Sequence, residues 1–131
     1  MNAPDVASRG LEDPVRKLVL EREAVSMWWH ADQVGLRYTA TTLAKLPGLR
    51  VVLIDLREGE VIPQHRADAD ISVHVLKGAI ALDVEGVTLE LRDGELATIA
   101  RGLAHDVEAM EDSEILLTLG GAPRRSADQG D

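Results

Sequence analysis

The sequence predicts an all-β domain, a barrel or jelly roll, preceded by a short N-terminal arm or helix. Three observations carry this prediction. Short apolar or alternating runs recur from Arg37 to Leu119, turn-forming residues punctuate them at regular spacing, and no internal repeat or second domain interrupts the series. The 131 residues suit one domain, and a chain of that length buries roughly two-thirds of its unfolded surface, enough for a core without staples. The expected division is an arm over residues 1–34, in part disordered, a barrel over 35–120, and a disordered polar tail over 121–131.

Each element follows from local pattern. Between Pro14 and His30 the apolar residues Val15, Leu18, Val19, Val25, Met27 and Trp28 fall at mixed spacing, which leaves helix and extended arm both open. Arg37–Ala44 alternates and ends before the Pro47-Gly48 turn. Leu49–Leu56 is a nearly continuous apolar strand, stopped by Arg57-Glu58-Gly59. Ile71–Leu76 is a further strand, closed by Lys77-Gly78. Ala79–Val84 and the run Val87, Leu89, Leu91 alternate on either side of Glu85-Gly86, a two-residue hairpin loop. Asp93-Gly94 turns the chain again, and Leu96–Ala100 and Ile115–Leu119 complete the set. The acidic run Glu108–Glu114 reads as a solvated turn.

Composition excludes several functions. There is no cysteine, so disulfides, iron–sulfur clusters, thiolate zinc sites and a cysteine nucleophile are absent. A net charge of −9 opposes binding to nucleic acid or to an anionic membrane surface. With no Phe and one Tyr, stacking platforms for single strands are also missing. No apolar run approaches the ~20 residues of a bilayer span, and MNAPDVASRGLEDP lacks the apolar stretch of a signal peptide. The expected location is the cytoplasm.

Two spaced motifs add to this pattern. Gly59 is followed by EVIPQ, His65 and, further on, Gly78; Gly94 is followed by ELATI, Gly102 and His105. In order and at this spacing they resemble the two motifs of the cupin superfamily, over roughly Thr39 to Leu119. The phrases HVLKG and AHDVEAMEDSEILLTL resemble small single-domain RmlC-like bacterial cupins, which implies a barrel fold without a defined activity. The departures are specific. Where the family pattern has a second histidine, a glutamate, a proline and an asparagine, this chain has Ala67, Ile71, Ala100 and Ala109. Of four ligand positions that the resemblance implies, His65 and His105 remain.

The expected pocket is therefore lined by His65, His105, Ile71, Val73, Val75, Leu82 and Ile99, and suits a small, partly apolar ligand. A divalent transition metal (Zn, Mn, Fe or Ni) would use His65 and His105 and needs a third ligand from Asp68, Asp70, Gln64 or His74. His74 is disfavoured by strand parity, since Ile71, Val73 and Val75 share the opposite face. Without metal, a histidine pair among aliphatics exchanges protons near neutral pH. Three readings follow: a small-molecule-binding protein with little or no catalysis, a metal-dependent oxygenase or isomerase, and a non-catalytic assembly module. A homodimer is expected, with Met27, Trp28 and Trp29 helping to bury its interface.

Overall fold

The computed structural model describes residues 10–120; the expected disorder of residues 1–9 and of the 121–131 tail lies outside the described residues. One helix, α1 (Leu20–Val34), precedes nine strands: β1 (Tyr38–Leu46), β2 (Leu49–Leu56), β3 (Val61–Arg66), β4 (Ile71–Lys77), β5 (Ala79–Val84), β6 (Val87–Arg92), β7 (Leu96–Ile99), β8 (Ala104–Ala109) and β9 (Ser113–Leu119). They form a five-stranded sheet in the order β1-β2-β9-β4-β7 and a four-stranded sheet in the order β3-β8-β5-β6, every pair antiparallel. Of the two expected forms, barrel and jelly roll, the second is found: two open sheets face one another and do not close.

Strand alternation builds the core. On β2, Val52, Ile54 and Leu56 point inward; on β4, Ile71, Val73 and Val75 do the same. Ile115 of β9 extends this layer within the same sheet, and Ile80 and Leu82 from β5 and Val107 from β8 meet it from across the sandwich. At about 25 cal/mol per Å² of apolar surface removed from water, this layer supplies most of the driving force for folding.

The N-terminal ambiguity resolves as a helix. Leu, Glu, Arg and Ala favour it, Glu21 and Glu23 suit its positive N-terminal end, and the chain leaves it at Gly35. Ala24, Met27 and Ala31, spaced by three and four, are buried beneath it. Ala24 and Met27 pack with Leu43 and Leu53, flanked by Val51, Leu76 and Leu116, on the outer face of the five-stranded sheet. Met27 is thus covered within the chain, Trp28 is half-buried, and Trp29 is 66% exposed. Among the described residues no helix is long and apolar enough to cross a membrane.

Two strands were not evident from periodicity, β3 and β8. β3 is an edge strand interrupted by Pro63 and almost wholly exposed, so it shows little apolar alternation. β8 carries His105 among its inward residues, with Ala104, His105 and Val107 buried and Glu108 exposed, so its apolar alternation is interrupted. The supposed solvated turn also shortens: Ser113 is fully buried and opens β9, accepting the Ala79 N–H at 3.0 Å and donating to the Glu111 carbonyl at 2.7 Å.

Gly78 ends β4 at φ 106°, and a Cβ there would lie 2.4 Å from Ser113 Oγ and 2.5 Å from the Asp112 carbonyl. Gly94 has φ 81° but open space around it. Gly78→Ala is expected to cost about 3 kcal/mol, from backbone strain plus overpacking. Gly94→Ala should cost about 1 kcal/mol, from the left-handed backbone alone. Urea denaturation of the two variants measures the difference, and equal losses would contradict the contact at Ser113.

Candidate functional site

β3 and β8 pair so that His65 lies directly opposite His105. A register irregularity between Ile62 and His65 sets this pairing, and both rings lie on the inner face. The ring centroids are 4.3 Å apart with the planes at 61°, an edge-to-face contact. The rings differ in environment: His105 is only 3% exposed, whereas His65 sits at the solvent edge.

Each histidine is oriented by its own strand. His65 Nδ1 is 3.0 Å from the Pro63 carbonyl, and His105 Nδ1 is 3.0 Å from the Leu103 carbonyl. A carbonyl oxygen only accepts, so both Nδ1 atoms carry the proton and donate it. In the neutral rings Nε2 is then the free acceptor on each. Neighbouring contacts hold the two strands in place: Glu85 accepts the Ala104 N–H at 2.6 Å, and Arg66 donates to the Gly102 carbonyl at 2.7 Å.

The histidines open onto a cavity of about 100 Å³, lined also by Tyr38, Ile54, Ile62, Val73, Val107, Ile115 and Leu117. Three of the seven expected pocket residues therefore meet there: His65, His105 and Val73. Ile71, Val75, Leu82 and Ile99 lie elsewhere, packed in the closed part of the core. Ile71 and Ile99 also border a shallow open depression beside Asp70 and Gly120, away from both histidines. The cavity is built from inner residues of β2, β3, β4, β8 and β9 with Tyr38 of β1, and takes none from β5 or β7, which carry Leu82 and Ile99. Tyr38 went unnoticed because a lone tyrosine opening a strand carries no positional signal.

The donor set does not fit a metal centre with three protein ligands. Among the described residues no group of three His, Asp or Glu side chains comes together. Asp70 is occupied in accepting the Arg101 N–H at 2.8 Å, and Asp68 lies 3.9 Å from the Arg101 guanidinium. His74 pairs in register with Leu96 and Leu116 on the outer face of β4. The positions of Ala67 and Ala109 hold methyl groups packed on the core.

A second polar cluster lies on the outer face, beneath α1. Asp55 is the only charged residue in the apolar β2 run from Val51 to Leu56 and is 2% exposed. Among the described residues neither of its carboxyl oxygens has a hydrogen-bond partner, and the same holds for the buried Thr39 hydroxyl opposite it. Burial pushes the Asp55 carboxyl up from 3.8 to about 6; the Arg57 guanidinium pulls it down, while Glu114, Asp112 and Asp32 push it further up. A carboxylate inside an apolar strand was the available signal for this cluster.

Comparison with known proteins agrees on architecture. A family model described as a cupin domain matches residues 52–119. Among curated proteins none matches the chain. Solved structures similar to it include KdgF from Halomonas sp., at 24% identity and a TM-score of 0.62, covering 70% of this chain and 84% of that one. A conserved protein of unknown function from Streptococcus pyogenes, SPY1581, is similar at 22% identity and a TM-score of 0.62, covering 66% and 76%. Salicylate 1,2-dioxygenase from Pseudoaminobacter salicylatoxidans is similar at 14% identity and a TM-score of 0.68, where 92% of this chain spans 37% of that one. At these identities the likeness is one of fold.

The tautomer assignment is directly measurable. Long-range ¹H–¹⁵N correlation spectra at pH 8 should show both His65 and His105 protonated at Nδ1, with Nε2 unprotonated. An Nε2-protonated His105 would mean that the Leu103 contact is not a hydrogen bond.

Proposed function

This chain belongs to the cupin-domain family, and from that premise we propose that it binds a small molecule through the His65–His105 pair, with little or no catalysis. The observation that carries this reading is the paired Nε2 acceptors at the mouth of an apolar cavity. Pockets for drug-sized ligands run to roughly 300–1,000 Å³. The 100 Å³ cavity holds about three water volumes, at ~30 Å³ each. The ligand accordingly buries a short apolar end against Ile54, Ile62 and Ile115 and meets the histidines with a hydrogen-bond donor. Its remainder stays at the rim beside His65 and Tyr38, both partly exposed.

The cavity favours ligand binding over a role as a mere assembly scaffold, which would tolerate a filled interior. The two-histidine donor set favours it over a metal-dependent oxygenase or isomerase, which usually needs three protein ligands. Self-association belongs to the same reading, with Trp29 the exposed aromatic on α1 available to a second copy. Sedimentation equilibrium should give a dimer for the parent and a monomer for Trp29→Glu; a monomeric parent would remove this part.

A thermal-shift screen of small donors with short apolar ends tests the main claim. A true ligand at 100 times its Kd adds about 2.7 kcal/mol, or about 10 °C for a domain of this size. The rise should vanish in the His65→Ala, His105→Ala double variant. Protein incubated with Mn, Fe, Ni or Zn and then desalted is expected to retain well under one equivalent. Stoichiometric metal in the parent and none in the double variant would replace this reading with the metal-dependent one.

A further inference from the structure

α1 is held to the five-stranded sheet by a set of polar contacts, and one buried carboxyl lies behind them. Trp28 Nε1–H donates to the Glu114 carboxylate on β9. The Arg57 guanidinium stacks on the Trp28 ring, 3.7 Å from its centroid, and pairs with Asp32 of α1 at 2.6 Å. Its other nitrogen lies 3.9 Å from Asp112 in the β8–β9 turn. Behind this layer sits Asp55, facing Thr39 of β1 on one side and Glu114 of β9 on the other in strand register. Lys77 of β4 is paired with Glu114 beyond it.

Among the described residues an ionised Asp55 has no hydrogen-bond donor, and it stands beside Glu114, so it is desolvated and repelled. A neutral Asp55 carries no charge to desolvate and is not repelled by Glu114, so it tolerates cover by α1. We propose that Asp55 is a proton-operated latch for α1: its neutral form locks the helix onto the sheet, and its ionised form loosens it. Arg57 ties the latch to the chain beyond the helix, because its N–H bonds the Arg37 carbonyl at 2.9 Å. Arg37 immediately precedes Tyr38 on the cavity wall, so the latch is built next to the rim of the histidine cavity.

The direction follows from the raised carboxyl. The folded state keeps its proton where the unfolded chain has lost it, so the contribution of Asp55 is complete below pH 3.8 and is lost as the pH rises to about 6. If the whole effect falls on helix docking, opening of α1 becomes up to about 100-fold more frequent across that window, since each pKa unit is a factor of ten.

Both tryptophans lie on α1, so a Trp29→Phe background isolates Trp28 as the fluorescent probe. Its emission should change sigmoidally with a midpoint near pH 6, and Asp55→Asn in the same background should abolish the change. A transition that survives Asp55→Asn, as it would if His30 on α1 were responsible, or a parent with no transition, overturns the latch. Carbon-13 titration of the carboxyl groups in the unaltered protein is independent of how the variant folds. A midpoint for Asp55 near 6 supports the latch, and one near 3.8 overturns it.

Discussion

The five-stranded sheet is apolar along its whole inner face on β2, β4 and β9 and carries a second, local apolar patch on its outer face, so both must be removed from water, and much of the rest of the molecule follows from that constraint. The inner face is covered by the four-stranded sheet, whose own inward residues Ile80, Leu82 and Val107 complete the core. The outer face, with Leu43, Val51, Leu53, Leu76 and Leu116, would be exposed without a cover. α1 supplies it with a three-residue stripe of small and flexible side chains, Ala24, Met27 and Ala31, that lets the helix approach closely. The helix is therefore part of the folded unit rather than an appendage to it.

Covering both faces has a cost at the one charged position of β2 that is buried. Asp55 lies in the sheet's outer layer, close to where α1 crosses, and burial there deprives it of water without providing a partner. The surrounding residues compensate at one remove: Arg57 supplies positive charge nearby while spending its direct contacts on Asp32, Asp112 and the Trp28 ring. A leucine at this position would satisfy the packing more simply. Retaining a carboxylate there makes the attachment of α1 sensitive to protonation, which an apolar residue does not.

The histidine site rests on a different kind of constraint, the register between two strands. His65 and His105 come from segments forty residues apart, and only the antiparallel pairing of β3 with β8 sets them opposite one another. The i−2 carbonyl contacts of Pro63 and Leu103 then impose the same tautomer on both. Identical local geometry on facing strands produces two acceptors where the cavity opens. Alanine and isoleucine stand at two of the four ligand positions that the resemblance implies, 67 and 71, and neither side chain offers a donor to a metal.

Much of the architecture was legible in the sequence because alternation and turn chemistry are local. Seven strands, the Glu85-Gly86 hairpin and the inward residues of β4 follow from period-two patterns and turn residues alone. The spacing of Gly59, His65, Gly94 and His105 likewise pointed to the two histidines. β3 and β8 were not legible by periodicity, because an edge strand with a proline and a strand with a buried histidine both break the apolar alternation. The identity of the cavity wall was also hidden: parity places Ile71, Val75, Leu82 and Ile99 on inner faces, but which inner residues end at a void depends on how two twisted sheets diverge. The sequence by itself determined which side chains face inward and singled out the two histidines that the fold sets opposite one another. Only the tertiary structure decided that the N-terminal segment is a helix, that Tyr38 joins the cavity, and that Asp55 is sealed beneath α1, because each depends on contacts between residues distant in the chain.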